Sequence, residues 1–531
     1  MDKRSILAII LSLMVIYIYQ AFFVKPRPAP KTTTAPQEKV TTPEDRSPVS
    51  PGSPTALRTI TPSIQEQKGL KEREIPVETD EFIALFSTRG GAIKSLKLKR
   101  YREHIAKDSP LIELVHVKPT DPLPLSLTFP GADINLSEKT IYEAQLNEID
   151  KSIITFITEM PHLIRVEKIY RFKPGRYDFD LEIRNTNLGP GPINQTVGLT
   201  WYEYIDPQKK SDSYAHEGPV SFAAKKIERD DPKKIVATKT VGPDVSWGGY
   251  ETKYFIAALI PQNPAITSLY MSTNGGDLLS ISALSPKNII PPGKTTVVNY
   301  TVYLGPKDYS ILKSLNVGLE NAIDFGDWLK WLAMPLLIVL KFLYNLIPNY
   351  GVAIIILTAI IKIIFWPLGN KSYRSMKEMQ KLQPKVAELQ EKYKNDKNRL
   401  SQEIMNLYKT HKVNPMGGCL PMLIQIPVFF GLYKTLLYAI ELRHSPFIWW
   451  IKDLSAKDPY YITPIIMGAT MFIQQKMTPT AGDPTQAKIM LLMPAIFTVM
   501  FLNFPSGLVI YWLFNNIISI GQQYYINKRL S

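Results

Sequence analysis

Residues 349–369 read NYGVAIIILTAIIKIIFWPLG, and this stretch constrains the chain more than any other. A helix rises about 1.5 Å per residue, so about 20 residues cross the roughly 30 Å of hydrocarbon in a bilayer. The stretch is therefore expected to span a membrane. It also carries a cation, Lys362, about two turns from its C-terminal end. A charge at that depth is costly and marks a functional site unless its stem can carry it out to the headgroups.

The other segments are read around that span. Cys419 is the single cysteine, which excludes an intramolecular disulfide framework and leaves core packing and lipid to hold the fold. A formal charge of +15 suits either nucleic acid or anionic lipid, and the long apolar runs point to lipid and the positive-inside rule, not DNA. Lys3 and Arg4 precede a 19-residue apolar run at 5–23. That run lacks the small-residue pattern of a cleavage site, so residues 1–24 are expected to be an uncleaved signal anchor, its N-terminus cytoplasmic. Residues 25–74 read as a flexible tether: nine prolines fall between 26 and 62, with little apolar side chain to bury.

From residue 75 the periodicity becomes two. Phe82, Ala84 and Phe86 alternate before Arg89-Gly90-Gly91, and Ile93, Leu96 and Leu98 resume beyond it. Tyr177, Phe179, Leu181 and Ile183 alternate with carboxylates, and Val298, Tyr300, Val302 and Leu304 repeat the pattern. Turn residues such as Pro174-Gly175 and Pro291-Pro292-Gly293 separate the runs. Residues 75–320 are thus expected to form a large antiparallel β-sandwich outside the cytoplasm, ending in a helix capped by Asp308 and running to Leu319.

Residues 321–348 contain an apolar run interrupted by Lys330, Pro335 and Lys341, with tryptophans at one end. An amphipathic helix lying in the outer interface fits this pattern, with a short tilted span as the alternative. After the 349–369 span, residues 370–412 hold eleven Lys and Arg against five Asp and Glu. Met379, Leu382, Val386, Leu389 and Tyr393, then Leu400, Ile404, Leu407 and Tyr408, recur at helical spacing. Residues 370–417 therefore read as a basic cytoplasmic helical hairpin with a narrow apolar seam, suited to anionic lipid or RNA. Apolar stretches at 418–440, 460–477, 489–503 and 507–526 complete the 418–526 bundle, and residues 527–531 are a short cytoplasmic tail. The count is six spans, both ends cytoplasmic, and span parity agrees with the charge bias.

None of these spans holds a carboxylate at depth, so Lys362 has no internal counter-ion in sight. Other polar residues gather towards the same leaflet. Thr358 lies one turn from Lys362 on the same face, Gln425 two turns inside the third span, and Gln475 near the inner end of the fourth. Asn515 stands at mid-depth in the sixth, with Asn516, Gln522 and Gln523 beyond it. Each would be costly against lipid, so they are expected to line a water-filled groove that opens inward without crossing. Lys434, near the outer end of the third span, reads as a snorkelling side chain. A transporter or channel using the lysine is the alternative, but no repeat and no coupling carboxylate accompanies it. The six histidines show no metal spacing, and no constellation suggests an enzyme, a cofactor or a metal.

Several motifs carry a resemblance. The run 414–421, continued by Leu423-Ile424-Gln425-Ile426-Pro427, is similar to the YidC-type membrane protein insertases. So are Asp458-Pro459-Tyr460-Tyr461-Ile462, Met471-Phe472-Ile473-Gln474-Gln475-Lys476-Met477 and Phe504-Pro505-Ser506-Gly507-Leu508-Val509. The anchor and β domain look like the Gram-negative, inner-membrane form, whose periplasmic domain is a β-supersandwich. The resemblance implies insertion and folding of nascent inner-membrane proteins, alone or with Sec translocon components. The basic hairpin makes the ribosome a further expected partner. The resemblance places Lys362, Thr358 and Trp512 at the family's groove cation, threonine and aromatic. Here the chain departs from the family, which usually has Arg at the Lys362 position; lysine keeps the charge and loses the fork of donors.

Overall fold

The computed structural model describes residues 71–531 except 148–151, 209–214, 236–237, 274–275, 327, 412, 414–419, 479–483 and 531. The expected signal anchor, nearly all of the tether and the Gly417-Gly418-Cys419 part of the family motif lie outside the described residues.

The alternating segments form antiparallel sheets. A nine-stranded sheet runs in the order Lys226–Arg229, Gly218–Ala223, Val245–Glu251, Phe255–Pro261, Thr295–Pro306, Asp178–Asn187, Ile164–Phe172, Ile153–Met160, Glu143–Leu146. Five-, four- and two-stranded sheets accompany it. Within the large sheet Val302 pairs with Phe179 and Tyr300 with Leu181, so the two predicted alternations share one buried face. The switch of phase between Ile93 and Leu96 is a β-bulge: Leu85 pairs with Ser95 but Phe86 with Ile93, leaving Lys94 as the extra residue.

Among the charged residues buried in this core, Lys168 is fully enclosed. In Ile164–Phe172 every second side chain faces inward, and Lys168 takes one of those places, fully buried. Its Nζ donates to the carbonyls of Gly90 (2.9 Å), Gly91 (2.6 Å) and Leu125 (2.7 Å). Gly90, Gly91 and Leu125 all have positive φ, so the lysine ties together two turns whose carbonyls point inward. Burial pushes the Lys168 pKa well down. The three carbonyls act against that, because only the ammonium has three protons to donate.

Nine α-helices are described: α1 Tyr309–Ser314, α2 Lys330–Leu346, α3 Tyr350–Lys381, α4 Gln383–Lys392, α5 Lys397–Thr410, α6 Leu420–Tyr438, α7 Ile462–Met477, α8 Pro484–Phe501 and α9 Ser506–Leu530. Asp308 caps α1 as expected, accepting from Ser310 N and Ile311 N. The helix stops at Ser314 and does not reach Leu319, because Asn316 and Gly318 take positive φ. Among the described residues α3 is the one helix long and apolar enough to cross a membrane. It does not break at Gly369 but continues through Pro367 to Lys381. The expected seam is the shielded side of α4 and α5: Leu382 and Leu400 are buried, and Val386, Leu389, Ile404 and Leu407 are half-buried.

A polar strap joins the β domain to the helices. Glu251, buried in the large sheet, accepts from Arg229 (2.7 Å) and Lys307 (3.1 Å). Arg229 also holds the carbonyls of Asn321 and Ala322. Asp324, two residues on, accepts from Lys434 Nζ and Tyr438 OH of α6, each at 3.2 Å. Lys434 is therefore not a snorkelling residue; its ammonium turns to a carboxylate 110 positions away in the chain. Lys341 of α2 bridges Asp308 (3.0 Å) and Glu441 (2.9 Å). Burial alone would raise the Asp324 carboxyl, but Lys434 and Arg229 outweigh it and hold the pKa at about 2.

Asp324→Asn is expected to lower the stability of the full chain by about 2 kcal/mol at pH 7, since it removes a charge-assisted bond. A depressed carboxyl stabilises above its unfolded value of about 3.9 and loses that contribution as pH falls towards about 2. Thermal unfolding of both chains in detergent should thus show a constant gap from pH 7 to 5, closing below about 4.

Candidate functional site

The polar residues of the helical half meet around α9, which packs against α3, α6 and α7. Asn349 caps α3 by accepting from Val352 N at 3.1 Å, and the run of Ile and Leu that follows carries Lys362 to the α9 face. There Lys362 Nζ donates to Ser519 Oγ at 2.8 Å, and Ser519 Oγ donates in turn to the carbonyl of Asn515 at 2.6 Å. Asn515 Oδ1 accepts from Gln425 Nε2 of α6 at 2.9 Å. Lys362, Ser519, Asn515 and Gln425 therefore form one chain of contacts across three helices. Among the described residues no carboxylate lies within ion-pair reach of Lys362.

The same face of α9 continues downwards. Asn516 Nδ2 donates to Thr470 Oγ1 of α7 at 3.3 Å. Gln522 Nε2 donates to the Trp366 carbonyl (3.2 Å) and to Asn370 Oδ1 (3.0 Å), both on α3. Asn516, Ser519, Gln522 and Gln523 are all buried. Such side chains are costly in an apolar setting unless bonded, and here α9 supplies bonds to both flanking helices.

The other predicted residues are placed differently. Thr358 is only 1% exposed, and its hydroxyl donates to the Ile354 carbonyl of its own helix at 2.7 Å, so its proton is not offered to the Lys362 layer. Trp512 stands one turn above Asn515 in an aromatic group, with ring centroids 4.7 Å from Phe429, 5.1 Å from Phe501 and 6.1 Å from Phe497. Gln475 is half-buried, and its Nε2 has no hydrogen-bond partner among the described residues. Ser519, Thr470 and Asn370 were not singled out from the sequence. Ser519 had a signal: it stands four residues after Asn515 and three before Gln522, on one helical face.

Comparison with known proteins bears on this arrangement. Residues 342–531 match the family model described as 60Kd inner membrane protein, and residues 74–339 match the YidC periplasmic domain. The membrane protein insertase YidC of Syntrophus aciditrophicus (strain SB) is 60% identical over 100% of both chains. The chain belongs to the YidC family. The YidC insertase of Geotalea uraniireducens (strain Rf4) is 44% identical, again over 100% of both chains. A crystal structure of an active YidC insertase with its first transmembrane domain resolved is 21% identical, covers 86% of this chain and 93% of that one, and superposes with a TM-score of 0.38. The periplasmic-domain match of this YidC-family chain falls on the antiparallel sheets, and the 60Kd match on the helices that carry Lys362, Gln425 and Asn515.

Gln425 bonds Asn515 and also the Tyr511 hydroxyl, and a double-mutant cycle with Gln425→Ala and Asn515→Ala isolates the first bond; it should return a favourable coupling of about 0.6 kcal/mol, the usual size for such bonds in membrane proteins. Reversible unfolding in bicelles measures it; additive effects would mean the contact is absent in the folded chain.

Proposed function

We propose that this chain is a membrane protein insertase that inserts and folds inner-membrane proteins through a hydrophilic groove opening to the cytoplasm and carrying the fixed charge of Lys362. Family membership supports the activity. The observation that carries the mechanism is the Lys362 ammonium, bonded to a neutral hydroxyl with no carboxylate in reach among the described residues. In the proposed topology the chain has six spans, the β domain is periplasmic, both ends are cytoplasmic, and α4 and α5 form the basic cytoplasmic hairpin.

A cation bonded only to neutral groups keeps its attraction for an incoming anion. A client with a short acidic or polar tail enters the groove from the cytoplasm. Its carboxylate meets Lys362 at part depth, where the lower dielectric strengthens the attraction. The amides of Gln425, Asn515 and Gln475 replace part of the tail's hydration, and the client's apolar segment then slides into lipid. Gln475 Nε2, an amide donor in the helical half with no partner among the described residues, suits the carbonyls or carboxylates of a passing tail. Lysine serves in place of the family's usual arginine because a point charge, and not a fork, is what a moving carboxylate needs. The clients are nascent inner-membrane proteins, delivered alone or beside Sec translocon components. The basic hairpin faces anionic lipid and the ribosome.

Lys362→Arg, Lys362→Ala and Lys362→Glu test the reading, with a single-span substrate whose translocated tail is acidic and protease protection as the assay. Arginine should sustain insertion. Alanine should weaken it, and glutamate should weaken it further by repelling the tail. Normal insertion by Lys362→Glu would refute the fixed-charge mechanism.

A further inference from the structure

We propose that the β domain is fastened to the outer leaflet by a composite lipid-binding patch: the tip of its Arg102–Ser109 loop together with Ile448 and Trp449 from the α6–α7 connection. This rests on the reading above that α3 spans the membrane.

The depth of the patch follows from α3. Its first turn is where the apolar span begins, and Phe447 is fixed there. The Asn349 side chain donates to the Phe447 carbonyl at 3.0 Å. A Cβ on Gly351 would lie 2.1 Å from the Phe447 ring, so only glycine lets the ring approach. Ile448 and Trp449, the next two residues, therefore stand where hydrocarbon gives way to headgroups. Trp449 is 75% exposed, and its φ of 50° is unusual for a bulky residue. The chain thus adopts an unfavourable backbone conformation to turn an indole outward. An indole prefers the membrane interface, where its ring is in apolar surroundings and its N–H is wet.

The β domain reaches the same place. Arg443, four residues before Phe447, donates to the carbonyls of Arg102 (2.6 Å) and Glu103 (3.2 Å), with its guanidinium over the Phe255 ring at 5.7 Å. His104 is near enough to His444 to bear on its charge. The loop itself is preformed. Glu103 N donates to the Pro110 carbonyl (3.0 Å), His104 N to Ser109 Oγ (2.8 Å) and Arg102 to the Ser109 carbonyl (2.6 Å). At its tip Ile105 is 50% exposed, with Lys107 beside it. An isolated exposed isoleucine means little. Here Arg443 ties its loop to the connection that turns an Ile-Trp pair outward at the mouth of a span, and the exposed charges are of both signs, Lys107 and Lys452 with Glu103 and Asp108, a combination that suits polar headgroups over acyl chains.

The test uses the full chain with Cys419→Ser, and Ile105→Cys, Ile289→Cys or Ile363→Cys labelled in turn with bimane. Each is reconstituted into phosphatidylethanolamine–phosphatidylglycerol vesicles with and without brominated acyl chains. Ile363 is exposed on α3 and reports the span. Ile289 is exposed on a ladder that makes no hydrogen bond to any helix among the described residues. The label at 105 should lose emission to bromolipid as the label at 363 does, while the label at 289 keeps its emission. Quenching at 363 but not at 105 would overturn the patch and leave the span standing. No quenching at either would overturn both.

Discussion

A polar side chain surrounded by apolar helices must find its partner within the protein or in water. In this chain that requirement converges on α9, whose Asn515, Asn516, Ser519 and Gln522 serve three neighbours: α6 through Gln425, α7 through Thr470 and α3 through Lys362 and Asn370. Apolar packing alone would leave the helices free to slide past one another. Directional bonds fix their rotation, so the charge of Lys362 is aimed by α9. The arrangement is also incomplete. Lys362 has a hydroxyl and no anion among the described residues, and a guest able to supply the anion gains more than a guest that cannot.

The β domain depends on similar fixings. Lys168 draws two turns together inside the sheets, and the Arg229–Glu251–Lys307 cluster grips the strap that leads to α2. Asp324 then hands the connection to Lys434 and Tyr438 of α6. The helix that presents Gln425 to the polar layer is thus tied at its other end to the β domain. The family pairing of a sheet domain with a small helical bundle has a structural logic in this chain: α6 is held at both ends by different neighbours.

Much of this was legible in the residues. Alternation located the strands because burial on one face repeats every two residues, as at Phe179, Leu181 and Ile183. The helical seam from Met379 to Tyr408 was equally plain, and the polar residues of α9 stood out against their apolar surroundings. Partnerships were harder to read. Lys434 looks like any lysine near a helix end, because Asp324 lies far away in sequence and only the fold brings them together. Ser519 is small and unremarkable in composition, and its importance comes from the distance to Lys362. Lys168 offered a clue in its phase, since it occupies an inward place in its strand, but the carbonyls that accept its protons belong to turns that periodicity does not place. The end of α3 was misleading for a different reason. The apolar run ends at Gly369, yet the helix carries on through Pro367 and Gly369 to Lys381, and Gln522 donates to the Trp366 carbonyl.

The continuity of α3 has a mechanical consequence. Its 32 residues make a rod of about 48 Å, longer than the apolar layer it is read to cross. One end is seated on Phe447 and the other carries α4 and α5. Lys362 sits between them on the same shaft. Pro367, which has no N–H to donate to the carbonyl one turn back, lies between the lysine and the arms, so the shaft is continuous there but one backbone bond softer than its neighbours.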